Sequence, residues 1–307
     1  MAPMTTPRPA PFGTMLTAMI TPFDGDGAVD IEGAQRLATY LVDDLGHDGL
    51  VLNGTTGEAP TTTDAEKQHL IRSVVEAVGD RARILAGVGT YDTAHSIHLA
   101  AEAAAAGAHG LLVVSPYYNR PPQEGLIAHF TSIADATELP VVTYDIPKRT
   151  GVALEPDTLC RLAEHPRIVA NKDAKGDLEA AQRVLARADL AWYSGDDILN
   201  LPLLSIGGCG FISVVGHLVG DRLAALAHAY LAGDIERATT INRGLLPVYT
   251  GCFRTQAVIL IKAALTHIGL PAGSVRAPLI DATPEQIRQL SRDLTEGGLE
   301  TFAVDAA

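Results

Sequence analysis

The chain has 307 residues, 47% hydrophobic and 19% charged, with a formal net charge of −13. That length and apolar content suffice for a large buried core and exclude a disordered chain. The acidic balance excludes the cationic field that draws in nucleic acid or an anionic membrane surface.

Residues 1–13 hold four prolines and no apolar stretch, so they are expected to form a flexible tail rather than a signal peptide. Short β-leaning apolar runs then alternate with longer segments of helical period. Candidate strands fall at 15–20, 49–52, 84–87, 110–114, 141–144, 168–171, 191–194 and 210–214. Candidate helices lie between them at 31–45, 64–79, 93–106, 123–137, 155–164, 177–188 and 197–206. Thr63-Asp64-Ala65-Glu66 is a capping-type start, and Glu155-Pro156-Asp157 places a proline in a first turn. The longest greasy region, 99–114, is cut by Glu102, Gly107 and His109, too often to span a bilayer.

Eight β units joined by helical crossovers run parallel, either in an open doubly wound sheet or in a closed barrel. The count of eight favours the barrel. The open sheet needs a glycine fingerprint, and Gly87-Val88-Gly89-Thr90-Tyr91-Asp92 lacks the third glycine. After Val214 only helices are expected, at 219–232, 234–249, 254–268 and 284–296. The organisation expected is α/β: a tail at 1–13, a (β/α)8 TIM barrel at 14–232, and a C-terminal helical region at 233–307.

Cys160, Cys209 and Cys252 are far apart and form no CxxC. A reduced, soluble, cytoplasmic chain is the plain expectation.

Functional side chains of such a barrel sit at the C-terminal ends of strands and in the loops that follow. Lysine is scarce: of Lys67, Lys148, Lys172, Lys175 and Lys262, only Lys172 directly ends an apolar strand. An ammonium at a dry barrel mouth is costly to bury, so its pKa falls and its amine becomes nucleophilic. A rim ion pair with Asp173 or Asp196 is the competing reading, and strand-end lysines also bind phosphates and metals. Tyr144 is either a core aromatic or a phenol that carries protons beside Lys172. Gly54-Thr55-Thr56-Gly57 is either a plain turn or a cradle for a small carboxylate. His95 and His98 stand three apart on a helix and are read as solvated rather than metal-binding. Asp196-Asp197 is either a metal-binding pair or a cap on the next helix.

Taken in order, several boxes resemble the dihydrodipicolinate synthase family of the pyruvate-dependent class I aldolase superfamily, which includes N-acetylneuraminate lyase. They are GTTGE at 54–58, PYYNRPPQEGL at 116–126, YDIPKRTG at 144–151, KDAKGD at 172–177, SGDD at 194–197, GFISV at 210–214, IKAAL at 261–265 and VRAPL at 275–279. The resemblance implies a Schiff base between Lys172 and pyruvate. It implies a proton relay of Tyr144, Thr55 and Tyr118, with Tyr118 reaching into a neighbouring subunit. Thr56 would hold the pyruvate carboxylate, and Arg149 that of aspartate β-semialdehyde. Gly195 and Ile212 would line the pocket. A homotetramer built from dimers is implied, with no metal and no organic cofactor. Asp145 and Asn171 depart from the residues commoner in relatives, without removing a catalytic group. Paired threonines in GTTGE and the arginine five residues beyond Tyr144 favour the synthase over sialic-acid lyases and keto-deoxy-sugar aldolases. A non-catalytic barrel would need a broken catalytic set, and here the set is whole.

Many relatives are inhibited by lysine at a dimer-interface cleft, which the resemblance places at Ala59, Pro60, Asp64, Lys67, Tyr91, His95 and Tyr117. With Lys67 and His95 there, weakened lysine binding is expected.

Overall fold

The computed structural model describes residues 9–302. Eight parallel strands close into a barrel in chain order. They are β1 (Met15–Ala18), β2 (Gly49–Leu52), β3 (Arg83–Gly87), β4 (Gly110–Val114), β5 (Val141–Asp145), β6 (Ile168–Asp173), β7 (Ala191–Ser194) and β8 (Gly210–Ser213). β1 closes the ring on β8, with Leu16 opposite Ile212.

Strand periodicity sorts the side chains. Leu16, Val51, Leu85, Leu112, Val142, Ala170, Tyr193 and Ile212 fill the barrel interior, and the alternating residues pack against the helices. Trp192, Phe130 and Phe211 are fully buried in that outer layer. Each such aromatic contributes roughly 2–3 kcal/mol of transfer free energy.

Crossover helices begin where side chains satisfy the first free N–H groups. Asp30, Asp92 and Asp177 accept from backbone N–H groups at three starts. At the helix Asp64–Val78, Thr63 and Glu66 cap each other reciprocally.

The differences from the sequence expectation are local. β5 runs one residue further and β6 two, because both keep pairing past the apolar run, with Tyr144 opposite Lys172 and Asp145 opposite Asp173. The segment expected at 31–45 is helical at Ile31–Thr39 and then passes into a π-turn, Tyr40–Asp44. The segment expected at 234–249 is two helices, Ile235–Gly244 and Leu246–Cys252. Pro247 stands in the first turn of the second, where its missing N–H costs nothing.

Residues 1–8 of the expected tail, and 303–307, lie outside the described residues. Within the tail, Phe12 is buried among the barrel-interior residues. Its N–H donates to the Tyr193 hydroxyl, which itself donates to the Gly13 carbonyl. An aromatic this apolar is worth more inside the barrel than in solvent, whatever the prolines around it.

The C-terminal helices do not stand apart. Gln256, Lys262 and Arg276 reach back to the loops after β2 and β5. No helix among the described residues is long and apolar enough to cross a membrane.

Candidate active site

Register and alternation place Tyr144 and Lys172 side by side, pointing into the barrel from β5 and β6. The Lys172 Nζ lies 4.3 Å from the Tyr144 ring centroid. Lys172 is only 3% exposed, and it forms no ion pair among the described residues. The rim pairing with Asp173 is set aside by what Asp173 does instead. That carboxylate accepts from the backbone of Lys175 and Gly176 and from the Trp192 indole, on the outer face of β6.

Burial pushes the Lys172 pKa down to about 7. The Asp197 charge opposes this, and the Arg149 charge adds to it. A large fraction of this amine is therefore unprotonated at neutral pH, the form that attacks a carbonyl. Burial pushes Tyr144 up to about 12, while Arg149 and a hydrogen bond with Thr55 act the other way. The phenol keeps its proton at neutral pH and can donate it. Gly195 follows from the lysine: a Cβ there would come within 2.8 Å of the Lys172 Cγ and Cε atoms.

Beside Tyr144 opens a cavity of about 390 Å³ whose walls also include Thr55 and Arg149. Lys172 is not itself a wall residue; Tyr144, whose ring its Nζ faces, is. Ile212 is buried in the barrel interior, and Thr56 is buried in the loop after β2. Arg149, in the single helical turn Pro147–Thr150, extends outward and donates to the Gln256 amide oxygen at 2.7 Å. Tyr118 is not brought to this site within one chain. It is 93% exposed, with φ of +75°. The walls of the same cavity also include all seven residues expected for the effector cleft.

Of the Asp196-Asp197 pair, Asp196 takes the N-cap position of the turn Asp197–Leu199, and Asp197 is buried and bonded within the fold. Its two oxygens accept from Ser213 Oγ, Asn200 Nδ2 and the N–H groups of Val214 and Val215. It thereby staples the end of β7 to the end of β8. Among the described residues no group of three or more His, Cys, Asp or Glu is arranged to hold a metal. His95 meets Asp64 at 2.9 Å, and His98 lies near Glu102.

Sequence reasoning missed the support beneath the 53–62 loop. Glu58, at φ of +54°, turns its carboxylate to Lys262 Nζ at 2.7 Å and accepts from the Arg276 N–H at 2.8 Å. Lys262 Nζ also donates to the Ser274 carbonyl, and the Lys262 and Arg276 cations both face the Phe23 ring. Arg276 reaches on to Glu66 and to the carbonyls of Gly27 and Thr61. One lysine inside the apolar run AVILIKAAL was the available signal, since a buried charge needs a partner.

The Dihydrodipicolinate synthetase family profile matches residues 11–297. The chain belongs to that family. It is 62% identical over 300 residues to 4-hydroxy-tetrahydrodipicolinate synthase 2 of Streptomyces coelicolor, covering 98% of this chain and 100% of that one. Identity is also 62% to the 4-hydroxy-tetrahydrodipicolinate synthase of Acidothermus cellulolyticus, covering 97% of each. Among solved structures, the Cyanidioschyzon merolae enzyme with lysine bound superposes with a TM-score of 0.92 at 40% identity, over 95% of this chain and 100% of that one.

Proposed function

We propose that the chain acts as a 4-hydroxy-tetrahydrodipicolinate synthase in the cytoplasm, condensing pyruvate with aspartate β-semialdehyde. The observation that carries the reading is Lys172: buried, without a carboxylate partner, and titrating near 7 beside a protonated tyrosine. The neutral amine adds to the pyruvate carbonyl carbon, and loss of water leaves an iminium. That electron sink lets the methyl group lose a proton, giving an enamine whose carbon attacks the aldehyde. The amino group of the second substrate then displaces Lys172 from the imine carbon, closing the ring and freeing the enzyme. In this reading Tyr144, Thr55 and Tyr118 move the protons, and Thr56 holds the pyruvate carboxylate. Arg149 offers a planar fork to the second carboxylate, and Gly195 and Ile212 shape the pocket.

Borohydride added with pyruvate is expected to fix a single covalent adduct on Lys172. Mapping of the label to another lysine, or no label at all, overturns the assignment. Turnover of N-acetylneuraminate or a keto-deoxy sugar, with aspartate semialdehyde ignored, overturns the substrate.

Tyr118 is proposed to complete the site of a neighbouring copy in a homotetramer, a dimer of dimers. Its exposure and its positive φ, a backbone state tyrosine seldom adopts, support that role. Sedimentation should show an oligomer, and Tyr118→Ala should lose roughly 10²-fold in kcat, as expected for a lost general acid or base. A fully active monomer refutes the role.

The stretch of this cavity wall formed by Asp64, Lys67 and His95 is proposed as an effector cleft that answers poorly to lysine.

A further inference from the structure

The two cations of this site, Lys172 and Arg149, are held differently, and Arg149 has a side-chain partner from the C-terminal region. Among the described residues it forms no ion pair, and its contact with the C-terminal region is to a neutral amide. Arg149 Nη2 donates to Gln256 Oε1 at 2.7 Å, across 107 residues of sequence. Gln256 stands at the N-terminus of the helix Ala257–His267, with extended backbone angles of −61° and 117°. That helix is almost wholly buried and is pinned by the Lys262–Glu58 ion pair. Both Arg149 and Gln256 are exposed, so the acceptor is anchored by its backbone, at the start of a buried helix, rather than by packing of its own side chain.

We infer that Gln256 is a positioning residue for the second substrate: it orients the Arg149 guanidinium without neutralising it, leaving its charge for a carboxylate. The inference rests on the proposed role of Arg149. A guanidinium has five N–H donors in a fixed plane, and one bond to a neutral carbonyl leaves a two-pronged edge available. A carboxylate at position 256 would satisfy the same hydrogen bond and cancel the charge. The cancelled charge would be felt further in. Arg149 is one of the groups that lower the Lys172 and Tyr144 pKa values, so neutralising it moves the lysine back towards protonation. The side chain at 256 thus bears on semialdehyde recognition and on the pH at which the amine becomes free. It touches neither substrate in this account.

The test compares Gln256→Glu, Gln256→Ala and Arg149→Ala with the unmodified oligomer. Steady-state kinetics are run in both substrates from pH 6 to 9, with borohydride labelling alongside. Gln256→Glu is expected to raise KM for aspartate semialdehyde about tenfold or more with kcat within about threefold. The acidic limb of kcat/KM should move to higher pH, and labelling at saturating pyruvate should stay complete. Gln256→Ala keeps the charge but frees the guanidinium, so KM rises less and the limb stays in place. Arg149→Ala should lose about 10²-fold in kcat/KM for the semialdehyde. If Arg149→Ala shows that loss and Gln256→Glu changes neither KM nor the limb, the positioning role is wrong while the reading of Arg149 stands. If Arg149→Ala leaves semialdehyde use intact, the reading of Arg149 itself fails and the inference falls with it. A fall in kcat alone, with KM and the limb unmoved, reflects general disturbance and also overturns the role.

Discussion

Among the described residues two lysines are buried, and they have been given opposite fates. Lys172, at the end of β6, is 3% exposed, and Lys262, in the helix Ala257–His267, is 2% exposed. Each faces an aromatic ring, at 4.3 and 4.1 Å from the centroid. Lys262 meets the Glu58 carboxylate at 2.7 Å and donates to the Ser274 carbonyl at 2.9 Å. Lys172 has no such partner, and the nearby Asp197 spends its oxygens on Ser213, Asn200 and two backbone N–H groups. Burial lowers both pKa values, but at Lys262 the Glu58 contact pushes back. Burial is the largest influence at both, but at Lys172 only the Asp197 charge, without a direct hydrogen bond, opposes it, and the amine is carried to about 7. Desolvation alone does not make a nucleophile; desolvation without a counter-ion does.

The largest effects should come from removing each lysine in turn, and they should have opposite signs in stability. Lys172→Met is expected to abolish the pyruvate adduct and lower turnover by at least about 10³-fold, since no other amine can replace it. It should also stabilise the fold by about 1–3 kcal/mol, because a buried amine without a partner is exchanged for an apolar chain of similar length. Lys262→Met leaves Glu58 buried and unpaired and should destabilise by about 3–5 kcal/mol. Much of that loss should return in the double variant Glu58→Gln/Lys262→Met, which buries no orphan charge. Denaturant midpoints with borohydride labelling decide the matter. A Lys172→Met protein less stable than its parent would mean that Lys172 is paired in solution, and the contrast would collapse.

The same contrast marks how far the sequence could be read. Barrel strands announce themselves as apolar runs, so three of the eight fall at the expected bounds, and the rest differ by one or two residues. Lys172 was legible because it ends such a run among very few lysines. Lys262 was not assigned a role, because its partner Glu58 lies 204 positions earlier and only the closed fold joins them. Gln256 is less legible still: a glutamine ahead of a helix carries no chemical signature, and its meaning comes from Arg149 alone. Phe12 was hidden by the prolines around it. The π-turn at Tyr40–Asp44 and the break before Leu246 arise from packing and from one proline, which periodicity does not resolve.

A milder effect sharpens the contrast by titration. An amine with the ordinary lysine pKa is unprotonated in roughly one copy in three thousand at pH 7, whereas one titrating near 7 is free in about half. The folded-state pKa of Lys172 is depressed from 10.5 to about 7, and the reactive form is the neutral one. Thus kcat/KM for pyruvate should be flat above pH 8 and fall about tenfold per unit below 7. An acidic limb close to the ordinary lysine pKa would mean that Lys172 is held as an ammonium.

The smallest effect concerns a third lysine, intermediate between the two. Lys67 lines the cavity with its side chain 11% exposed. Its Nζ donates to the Thr62 carbonyl at 2.5 Å and stands 4.0 Å from Asp64, whose other oxygen meets His95 at 2.9 Å. Burial lowers its pKa, and the Asp64 and Glu66 charges push it back up. Asp64, the acidic side chain in this cavity wall, is thus already engaged by two basic groups. A diamino effector would find an ammonium where it needs an acceptor, and a carboxylate with little left to offer. Activity should therefore change by less than about twofold on adding lysine to millimolar concentration, a difference of under ~0.4 kcal/mol in coupling. Lys67→Ala should release Asp64 and make the enzyme more responsive. Half-inhibition of the parent enzyme well below about one millimolar, or a Lys67→Ala variant as indifferent as its parent, would show that Lys67 does not guard this cleft.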